Sequence, residues 1–427
     1  SGSTAAVTTG SGTLTLGGSV TFSATNNASG ASISGNLDLG GATRTFTIDD
    51  SSAAASDLTV SAAISNGTLT KDGAGTLSLS GINTYTGTTT INAGNLTLTG
   101  GSAISNSGAV TLTNAAGAIL HVAQRETIGN LSGGGASGGN ISISSGQTLT
   151  VNHPSADTFA GFISVSGGIT KHGSSSLTLS NTNTYQGATT INAGTINLSG
   201  SNTASTTAIN SGGTLIGTGS AGAVTVNSGG AIGAGSAALT AGTLTIGTLT
   251  LNGGSTYSWD LGNATGSIAG TDWDVLNVTG ALTLNATAGN QITIALGGTA
   301  APTTSKSWNI INYGSLPNTW DSSVFNITNN ISGSSGTWSL TNNSTFIGLT
   351  YTLSSTSTWT GGAGNWSSGF STTPANGNAL VFSGAGGTAT NDIASGNLTS
   401  LTTITINSTA GSYTLAANSG SSGFDAA

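Results

Sequence analysis

The sequence of 427 residues contains no cysteine, no methionine, four prolines and very few charged residues. The absence of cysteine excludes a disulfide framework, a thiolate zinc site and thiol redox chemistry. Charged residues make up 4% of the chain, against about 25% in an ordinary soluble domain, so serine, threonine and asparagine must cover the surface. Five lysines and arginines against 13 acids give a net charge of −8, which argues against nucleic acid or an anionic membrane surface as a partner.

The sequence also lacks long apolar runs and helical patterns. No stretch approaches the ~18 apolar residues of a membrane helix, and no segment shows the periodicity of an amphipathic helix. Disorder is disfavoured, because disordered chains usually combine low hydrophobicity with high charge or high proline content. A signal peptide and an initiator methionine are both missing, so we expect Ser1 to be a processed or truncated start of an exported protein.

What the chain does contain is an internal repeat. The stretch KDGAGTLSLSGINTYTGTTTINAG at 71–94 returns as KHGSSSLTLSNTNTYQGATTINAG at 171–194, with 15 of 24 positions identical. Leu77 and Leu79 alternate with polar residues, which places both leucines on one face of a strand. We expect Gly87 and Gly94 at sharp bends that need a positive φ, with threonine outside. The unit predicts a strand, a corner rich in asparagine and glycine, and a second strand.

Short alternating strands separated by glycine, asparagine and serine recur along the whole chain, as expected of an all-β protein. Parallel strands need a return path, and no crossover helix is available to provide it. The sequence therefore predicts a parallel β-solenoid, and at roughly 20–25 residues per coil the 100-residue period corresponds to about four or five coils.

The repeat and changes in residue composition divide the chain into four sections. We expect solenoid coils over 1–100 with the first repeat core, and over 101–200 with the second. Gly-rich solenoid coils are expected over 201–298, and a less regular, β-rich region over 299–427. All seven tryptophans lie at or after Trp259, so the later coils should have larger core side chains.

The repeat resembles the passenger-associated β-strand repeats of bacterial autotransporters. The similarity rests on KDGAGTL at 71–77, NTYTG at 83–87 and TTINAG at 89–94, and on VTVNSGG at 224–230 and DVLNV at 274–278. This resemblance implies a right-handed parallel β-helix displayed outside the cell, which serves as a stalk, an adhesin or a fibre. It implies no catalytic residues and no cofactor.

Clustered carboxylates would support the hypothesis that the protein is a polysaccharide-degrading enzyme. Two clusters occur in the sequence: Asp49 and Asp50 with Asp57, and Asp272 and Asp274 beside Asp260. Asp272-Trp273-Asp274 could place two carboxylates on one strand face, but we interpret this cluster as a turn or a ladder at a coil edge. We interpret Asp49-Asp50 as a turn or a helix N-cap signal.

The histidines and the two repeated lysines suggest no chemistry either. His121, His153 and His172 have no metal-ligand spacing, so we expect surface or corner positions. Lys71 and Lys171 have no acidic partner in the repeat, which suggests solvated corners. We therefore predict no catalytic, cofactor-binding or metal-binding residues.

Three functions remain open after these exclusions. The first is a non-enzymatic extracellular fibre subunit that stacks end to end with copies of itself, since 1–16 has neither charge nor a capping helix. The second is a surface adhesin that binds polysaccharide through its Ser/Thr/Asn face or through Trp359 and Trp366, although core packing is favoured for these tryptophans. The third is the enzyme, tested by Asp272 and Asp274.

Overall fold

In a computed structural model the chain is all-β, as the sequence predicts, with long parallel ladders and a single turn of 3-10 helix (Ser322–Val324) in the part that is described. The structure describes residues 5–25, 27–332, 336–353, 356–361, 364–365, 370, 378–385, 387–391, 401–406 and 413–417.

Most strands of the first half have only three or four residues. They are β1 (Ala5–Thr15), β2 (Val20–Phe22), β3 (Ala31–Ile48), β4 (Leu58–Val60), β5 (Ala63–Asp72), β6 (Thr76–Leu79), β7 (Thr89–Ile91), β8 (Asn95–Leu98), β9 (Val110–Leu112), β10 (Ile119–Val122), β11 (Glu126–Ile128), β12 (Leu131–Gly133), β13 (Asn140–Ile143), β14 (Thr148–Val151), β15 (Asp157–Phe159), β16 (Ile163–Ser164), β17 (Gly168–Lys171), β18 (Ser176–Leu179), β19 (Thr189–Ile191), β20 (Gly194–Leu198) and β21 (Ser201–Asn202).

Longer strands become frequent in the second half. They are β22 (Thr207–Ile209), β23 (Gly213–Ile216), β24 (Ser220–Val226), β25 (Ala231–Gly233), β26 (Thr243–Asn252), β27 (Thr256–Leu261), β28 (Val275–Asn285), β29 (Ile292–Gly298), β30 (Lys306–Ser315), β31 (Phe325–Asn329), β32 (Thr337–Asn342), β33 (Phe346–Thr352), β34 (Thr356–Gly361), β35 (Gly364–Asn365), β36 (Asn378–Ala385), β37 (Gly387–Asn391), β38 (Leu401–Ile406) and β39 (Tyr413–Ala417).

The chain divides into two compact units. The first comprises Ser1–Thr299, Asn309–Asn330 and Asn342–Gly348, and the second comprises Ala300–Trp308, Ile331–Thr341 and Leu349–Ala427.

The first unit is a solenoid with three ladders of parallel strands. One ladder runs β5-β7-β9-β12-β15-β18-β20-β23-β25-β27-β29-β31, and a second runs β4-β6-β8-β10-β13-β16; the long strand β3 joins both into a sheet of 21 strands. The third ladder passes through β11, β14, β17, β19, β22, β24, β26, β28 and β30 in a separate sheet. Each coil therefore adds a strand to two or three of these ladders, because the third ladder begins at β11 and the second ends at β16.

Stacked aliphatic side chains form the interior of the solenoid. In the second ladder Leu58, Leu77, Leu96, Leu120 and Ile141 follow one another in register, and all are buried. Burying one such side chain contributes about 1.5–3 kcal/mol. Because each coil repeats this contribution, alternation of apolar and polar residues is enough to specify the fold.

The coils match the expected length in the repeats and lengthen afterwards. Leu69 pairs with Thr89, 20 residues later, whereas Thr256 pairs with Thr293, 37 residues later. Larger side chains fill these wider coils: Trp259 is completely buried, and its indole N–H donates to a backbone carbonyl at 2.9 Å.

The two copies of the repeat do not lie on the same ladder. Successive register partners in the first ladder are Lys71, Ile91, Leu112, Gly133, Phe159 and Leu179. Leu179 of the second copy corresponds to Leu79 in the first, so the second copy is turned by one strand position about the solenoid. The repeat therefore specifies local coil geometry and no fixed outward direction.

The glycines at the corners of the repeat serve two different purposes. Gly94 has a φ of 64°, as expected for a bend that needs glycine. The prediction for Gly87 was wrong, because its φ is not in the left-handed region. A Cβ atom at Gly87 would lie 2.2 Å from the Thr68 hydroxyl and 2.4 Å from the Gly67 carbonyl oxygen. Glycine is needed there because the preceding coil passes too close.

Replacing Gly87 by alanine should therefore lower the free energy of unfolding by about 2–3 kcal/mol, the range of overpacking in a close-packed interior. Urea unfolding followed by circular dichroism measures this change. Gly289→Ala is the matched control, since nothing lies within 4 Å of a Cβ atom at Gly289. Equal stabilities of the two variants would contradict the close-approach explanation.

The second unit has its own aromatic packing. Trp338 lies between Trp308 and Tyr351, with ring centroids 5.7 and 4.8 Å apart, and the ammonium of Lys306 lies 5.7 Å from the centre of Trp308. Two sheets of three parallel strands follow, β34-β36-β38 and β35-β37-β39.

Candidate functional site

The repeated lysines are buried cations held by backbone carbonyls. Lys71 Nζ donates to the carbonyl oxygens of Asp72 at 2.8 Å, Gly73 at 2.7 Å and Ala93 at 3.0 Å, and the residue is completely buried. Lys171 makes the same three contacts one repeat later, at 2.6 to 3.3 Å. The expectation of solvated corners was therefore wrong for both lysines.

Burial lowers the pKa of Lys71 to about 8, although the nearby charges of Asp72 and Asp57 oppose the shift. Burial likewise lowers the pKa of Lys171 to about 8. Both side chains are therefore ammonium groups at neutral pH, with three N–H donors for three carbonyl oxygens. The carbonyl of Ala93 belongs to the following coil, so Lys71 ties two successive coils together.

The repeated asparagine and tyrosine are also used internally. The Oδ1 atom of Asn83 accepts from Ile64 N–H at 2.7 Å, and its Nδ2 donates to the Ala103 carbonyl at 2.6 Å. Asn83 thus joins the coil before it to the coil after it. The Tyr85 hydroxyl bonds to the buried Thr89 hydroxyl at 2.9 Å, so this threonine faces inward and not outward as expected. In the second copy Tyr185 and Thr189 repeat their bond, and Asn183 again accepts from the preceding coil, but its Nδ2 donates to the Asn181 carbonyl of its own coil.

The first acidic cluster closes a loop. Asp57 is buried and accepts from Ser51 N–H at 2.8 Å, from the Ser51 hydroxyl at 2.5 Å and from Thr76 N–H at 2.7 Å. Asp49 and Asp50 lie exposed in the irregular loop after β3. The alternative of a helix N-cap is wrong because no helix begins there.

The second cluster does not pair its carboxylates. Asp272-Trp273-Asp274 lies in a turn before β28, so the possibility of two acids on one strand face is wrong. Asp274 is completely buried and accepts from Gly242 N–H at 2.9 Å and from Asp260 N–H at 3.1 Å, whereas the half-buried Asp272 bonds within its own loop. Burial, reinforced by the charge of Asp260, raises the pKa of Asp274 to about 8.

One histidine departs from the expected surface position. His153 is completely buried, where its Nε2 atom lies 3.2 Å from Leu131 N and its Nδ1 atom 2.7 Å from the Ser155 carbonyl oxygen. Burial lowers its pKa. His121 and His172 are half-buried. Among the described residues no group of three or more histidines and acids is placed to hold a metal ion.

The tryptophan proposed for sugar stacking is buried. Trp359 is 2% exposed and packs against Phe370 and Phe382, with ring centroids 5.3 and 6.5 Å away. Core packing, the favoured interpretation, is therefore confirmed for Trp359, which has no face open to a ligand. Trp366 lies outside the described residues. No helix of the described chain has the length and apolarity needed to cross a membrane.

The outward positions of the third ladder form two regular polar rows. We call one the threonine row; it consists, in register, of Thr127, Thr150, Thr170, Thr190, Ala208, Thr225, Thr250 and Thr283. We call the other, two residues further along each strand or just after it, the asparagine row; it consists of His172, Asn192, Asn210, Asn227, Asn252 and Asn285.

The two rows differ in how their side chains are used. Each Asn amide from Asn210 to Asn285 donates to the asparagine of the preceding coil at 2.7 to 3.2 Å, which fixes the asparagine row. The side chains of the threonine row are half-buried, and their hydroxyls bond to no other described residue. Neither row contains an acid, a lysine or an arginine. The result is a rigid, uncharged strip of hydroxyl groups about 4.8 Å apart, interrupted at Ala208.

Taken together, the ladders and the buried polar residues of the repeats define a parallel β-solenoid built from a recurring coil motif. Comparison with known proteins agrees with this class. Residues 69–98 and 169–198 both match the passenger-associated-transport-repeat family. The chain is also 34% identical, over 148 residues, to the Adhesin BmaC autotransporter of Brucella suis biovar 1 (strain 1330). The resemblance to autotransporter passenger repeat proteins is therefore confirmed.

The region of similarity to this adhesin covers 34% of the present chain and 4% of the much longer relative. The family match extends over the two repeats and includes Lys71, Asn83, Tyr85 and Gly87, together with their counterparts in the second copy.

Proposed function

We propose that the chain is a non-enzymatic, exported structural protein and that its solenoid is a subunit of a cell-surface or matrix fibre. The observation that supports this proposal is the use of the repeated polar residues. The hydrogen bonds of these side chains lie inside the solenoid, within one coil or between two coils; the residues are Lys71, Asn83, Tyr85 and Thr89. A recurring motif whose polar groups are used inside the solenoid in this way sets the shape of each coil. Repeating such coils lengthens the solenoid.

Stacking of coils also supports an assembly between copies. Within the solenoid, coils are joined by parallel ladders, and β1 pairs with β3 in the same way while its side chains stay exposed. Val7 and Leu14 of β1 are 47% and 38% exposed. A strand with an open edge and low charge is a template for pairing with another chain. A second copy that docks there would continue the ladder end to end.

Electron microscopy and light scattering of the purified chain test the fibre. We expect filaments whose mean length grows with protein concentration, and we expect Val7→Lys to shorten them because a lysine on an edge strand opposes pairing. Val165→Lys is the matched control, since Val165 is also 47% exposed but lies far along the solenoid. A monomer at high concentration with no filaments would overturn the proposal.

A surface adhesin that binds polysaccharide is the second candidate, and the threonine row favours it. The relative named above is an adhesin, and the threonine row presents unpaired hydroxyls at a regular spacing on a rigid support. Since this strip has no charged side chain, an uncharged polysaccharide suits it better than an acidic one. Trp359 takes no part in such binding because it is buried.

Glycan binding through the threonine row should be lost when hydroxyls are replaced by methyl groups of the same shape. We expect the triple variant Thr150→Val, Thr170→Val and Thr190→Val to reduce binding to neutral glycans on an array by about tenfold or more, the effect of losing roughly 1.4 kcal/mol. Thr70→Val with Thr90→Val, on another ladder, is the control. Equal binding by both variants would exclude the threonine row as the adhesive surface.

The enzyme reading has no support from the acids. Asp274 is buried with backbone partners and Asp272 bonds within its own loop, so neither carboxylate is placed beside the other in an open groove. We therefore infer that the chain has no catalytic site at this cluster.

A further inference from the structure

The interior of the second repeat contains a small cavity beside Asn202. Its volume is about 10 Å³, at the lower limit of what admits one water molecule. The polar side chains on its wall are Tyr185, Thr189, Asn202 and Thr207, and the remainder of the wall is leucine and isoleucine. No charged side chain lines it.

Asn202 is a buried amide without its normal hydrogen bonds. The residue is 5% exposed, and neither its Oδ1 nor its Nδ2 atom has a partner of hydrogen-bonding geometry within the described residues. Its side chain is close enough to the hydroxyl of Tyr185 to oppose the effect of burial on the pKa of that hydroxyl, but the two groups lack regular hydrogen-bond geometry. The Tyr185 hydroxyl bonds to Thr189 at 2.7 Å. Buried amides are almost always satisfied by protein or by ordered water, so this one requires a partner in the cavity.

The first repeat fills the corresponding space differently. The backbone N–H of Asn83 donates to the Ser102 carbonyl, as that of Asn183 does to the Ser201 carbonyl, so Asn202 takes the place of Ala103. In the first repeat the Glu126 carboxylate enters from the following coil, accepts from Ala103 N–H at 3.0 Å and lies close enough to Tyr85 to raise its pKa.

The second repeat has no equivalent of this carboxylate. The residue paired with Asn202 on the following coil is Ala221, which has no polar side chain. The two repeats thus share a buried tyrosine–threonine pair, but the carboxylate is found in the first repeat alone, and in the second the Thr189 hydroxyl bonds to the Ser205 hydroxyl at 3.0 Å.

We propose that the second repeat binds one buried water molecule in this cavity, between the amide of Asn202 and the hydroxyls of Tyr185 and Thr189. A water molecule fits both the volume and the chemistry, because it can donate to Oδ1 and accept from Nδ2. A cation or an anion does not fit, since the wall provides no opposite charge. The bound water joins the coil of Tyr185 to the coil of Asn202, as Glu126 joins successive coils in the first repeat.

Deuteron magnetic relaxation dispersion of the full chain tests this site, because it counts water molecules held for microseconds or longer. We expect Asn202→Leu to lose one such water relative to the unsubstituted chain, and Thr182→Val, an exposed substitution in the same repeat, to lose none. High-resolution diffraction of the unsubstituted chain should show one solvent peak within hydrogen-bonding distance of the Asn202 amide.

An unchanged water count in folded Asn202→Leu would overturn the proposal, as would an Asn202 amide that bonds to protein atoms with no solvent peak beside it. Should leucine prevent folding, Asn202→Val makes the same comparison with a smaller apolar side chain. Neither result depends on whether the chain forms fibres.

Discussion

Replacing Lys71 by methionine is expected to lower the free energy of unfolding by about 2–4 kcal/mol. Methionine keeps most of the packing volume but leaves the carbonyls of Asp72, Gly73 and Ala93 without their donor. An unsatisfied buried polar group costs roughly 1–3 kcal/mol. Three carbonyls lose their donor, but the expected loss of stability is less than three such costs. The reason is that burying the ammonium is itself unfavourable, as its lowered pKa indicates. Urea unfolding at pH 7 measures the loss.

The two copies provide an internal comparison. Lys171→Met should cost a similar amount, since Lys171 is equally buried and has the same three carbonyl partners. Arg125→Met, which removes an exposed cation, should change stability by less than about 0.5 kcal/mol. Hydrogen exchange should show the loss at the corner that contains Gly94, next to the missing ammonium. A Lys71→Met chain as stable as Arg125→Met would show that the carbonyls find other partners.

The fold could be predicted because its causes are local. Alternating residues such as Leu77 and Leu79 fix the inward face of a strand, and a repeated coil needs no information about distant contacts. The resemblance to passenger repeats had the same local basis. Gly94 was also predictable, since a bend with positive φ is a property of one residue.

What the sequence alone could not reveal is how polar groups are matched between coils. The sequence shows no partner for Lys71, because its partners are backbone carbonyls, which any sequence contains. A signal did exist: Lys71 lies two residues after the buried Leu69, in the inward phase of the same strand. The buried His153 gives the same signal, since it lies two residues after the buried Val151, although it too bonds to backbone atoms, those of Leu131 and Ser155.

The rotation between the two copies of the repeat could not be predicted from the sequence either. A spacing of 100 residues does not state how many strand positions it contains, since coil length varies from one turn to the next. Only the register that leads from Lys71 to Leu179 reveals it.

Acidification from pH 8 to pH 5 is expected to stabilise the solenoid. Burial raises the pKa of Glu126 from 4.5 to about 7, against the opposing hydrogen bonds from the backbone N–H groups of Ile104 and Ala103. Burial raises the pKa of Asp274 from 3.8 to about 8, with a further contribution from the charge of Asp260. Between these limits Glu126 and Asp274 bind more protons in the folded chain than in the unfolded chain, so their contribution to stability is greatest at low pH and decreases as pH rises. The lowered pKa values of His153 and His121 act in the opposite direction below about pH 6.5, and the two carboxylates, with their larger shifts, outweigh them.

The size of the effect follows from the shift of each group. A proton difference of one changes the free energy of unfolding by about 1.4 kcal/mol per pH unit, so Glu126 alone accounts for roughly 2–3 kcal/mol between pH 5 and pH 7. Above pH 8 the free energy of unfolding is expected to increase with pH. The pKa values of Lys71 and Lys171 are lowered to about 8, so there the unfolded chain binds more protons and stability rises again. The stability profile should therefore have a minimum near pH 8.

Urea unfolding across pH 5 to pH 10 measures this profile, and neutral variants assign it to residues. Glu126→Gln should remove roughly half of the slope between pH 5 and pH 7, and Asp274→Asn should remove a similar share there together with the slope that continues to pH 8. Asp50→Asn is the control, because Asp50 is exposed in a loop and its replacement should leave the profile unchanged. Tyr85, which lies near Glu126, does not titrate in this range, since burial raises its pKa further. A stability that increases from pH 5 to pH 8 would mean that the backbone N–H groups outweigh burial and hold both carboxylates in their charged form.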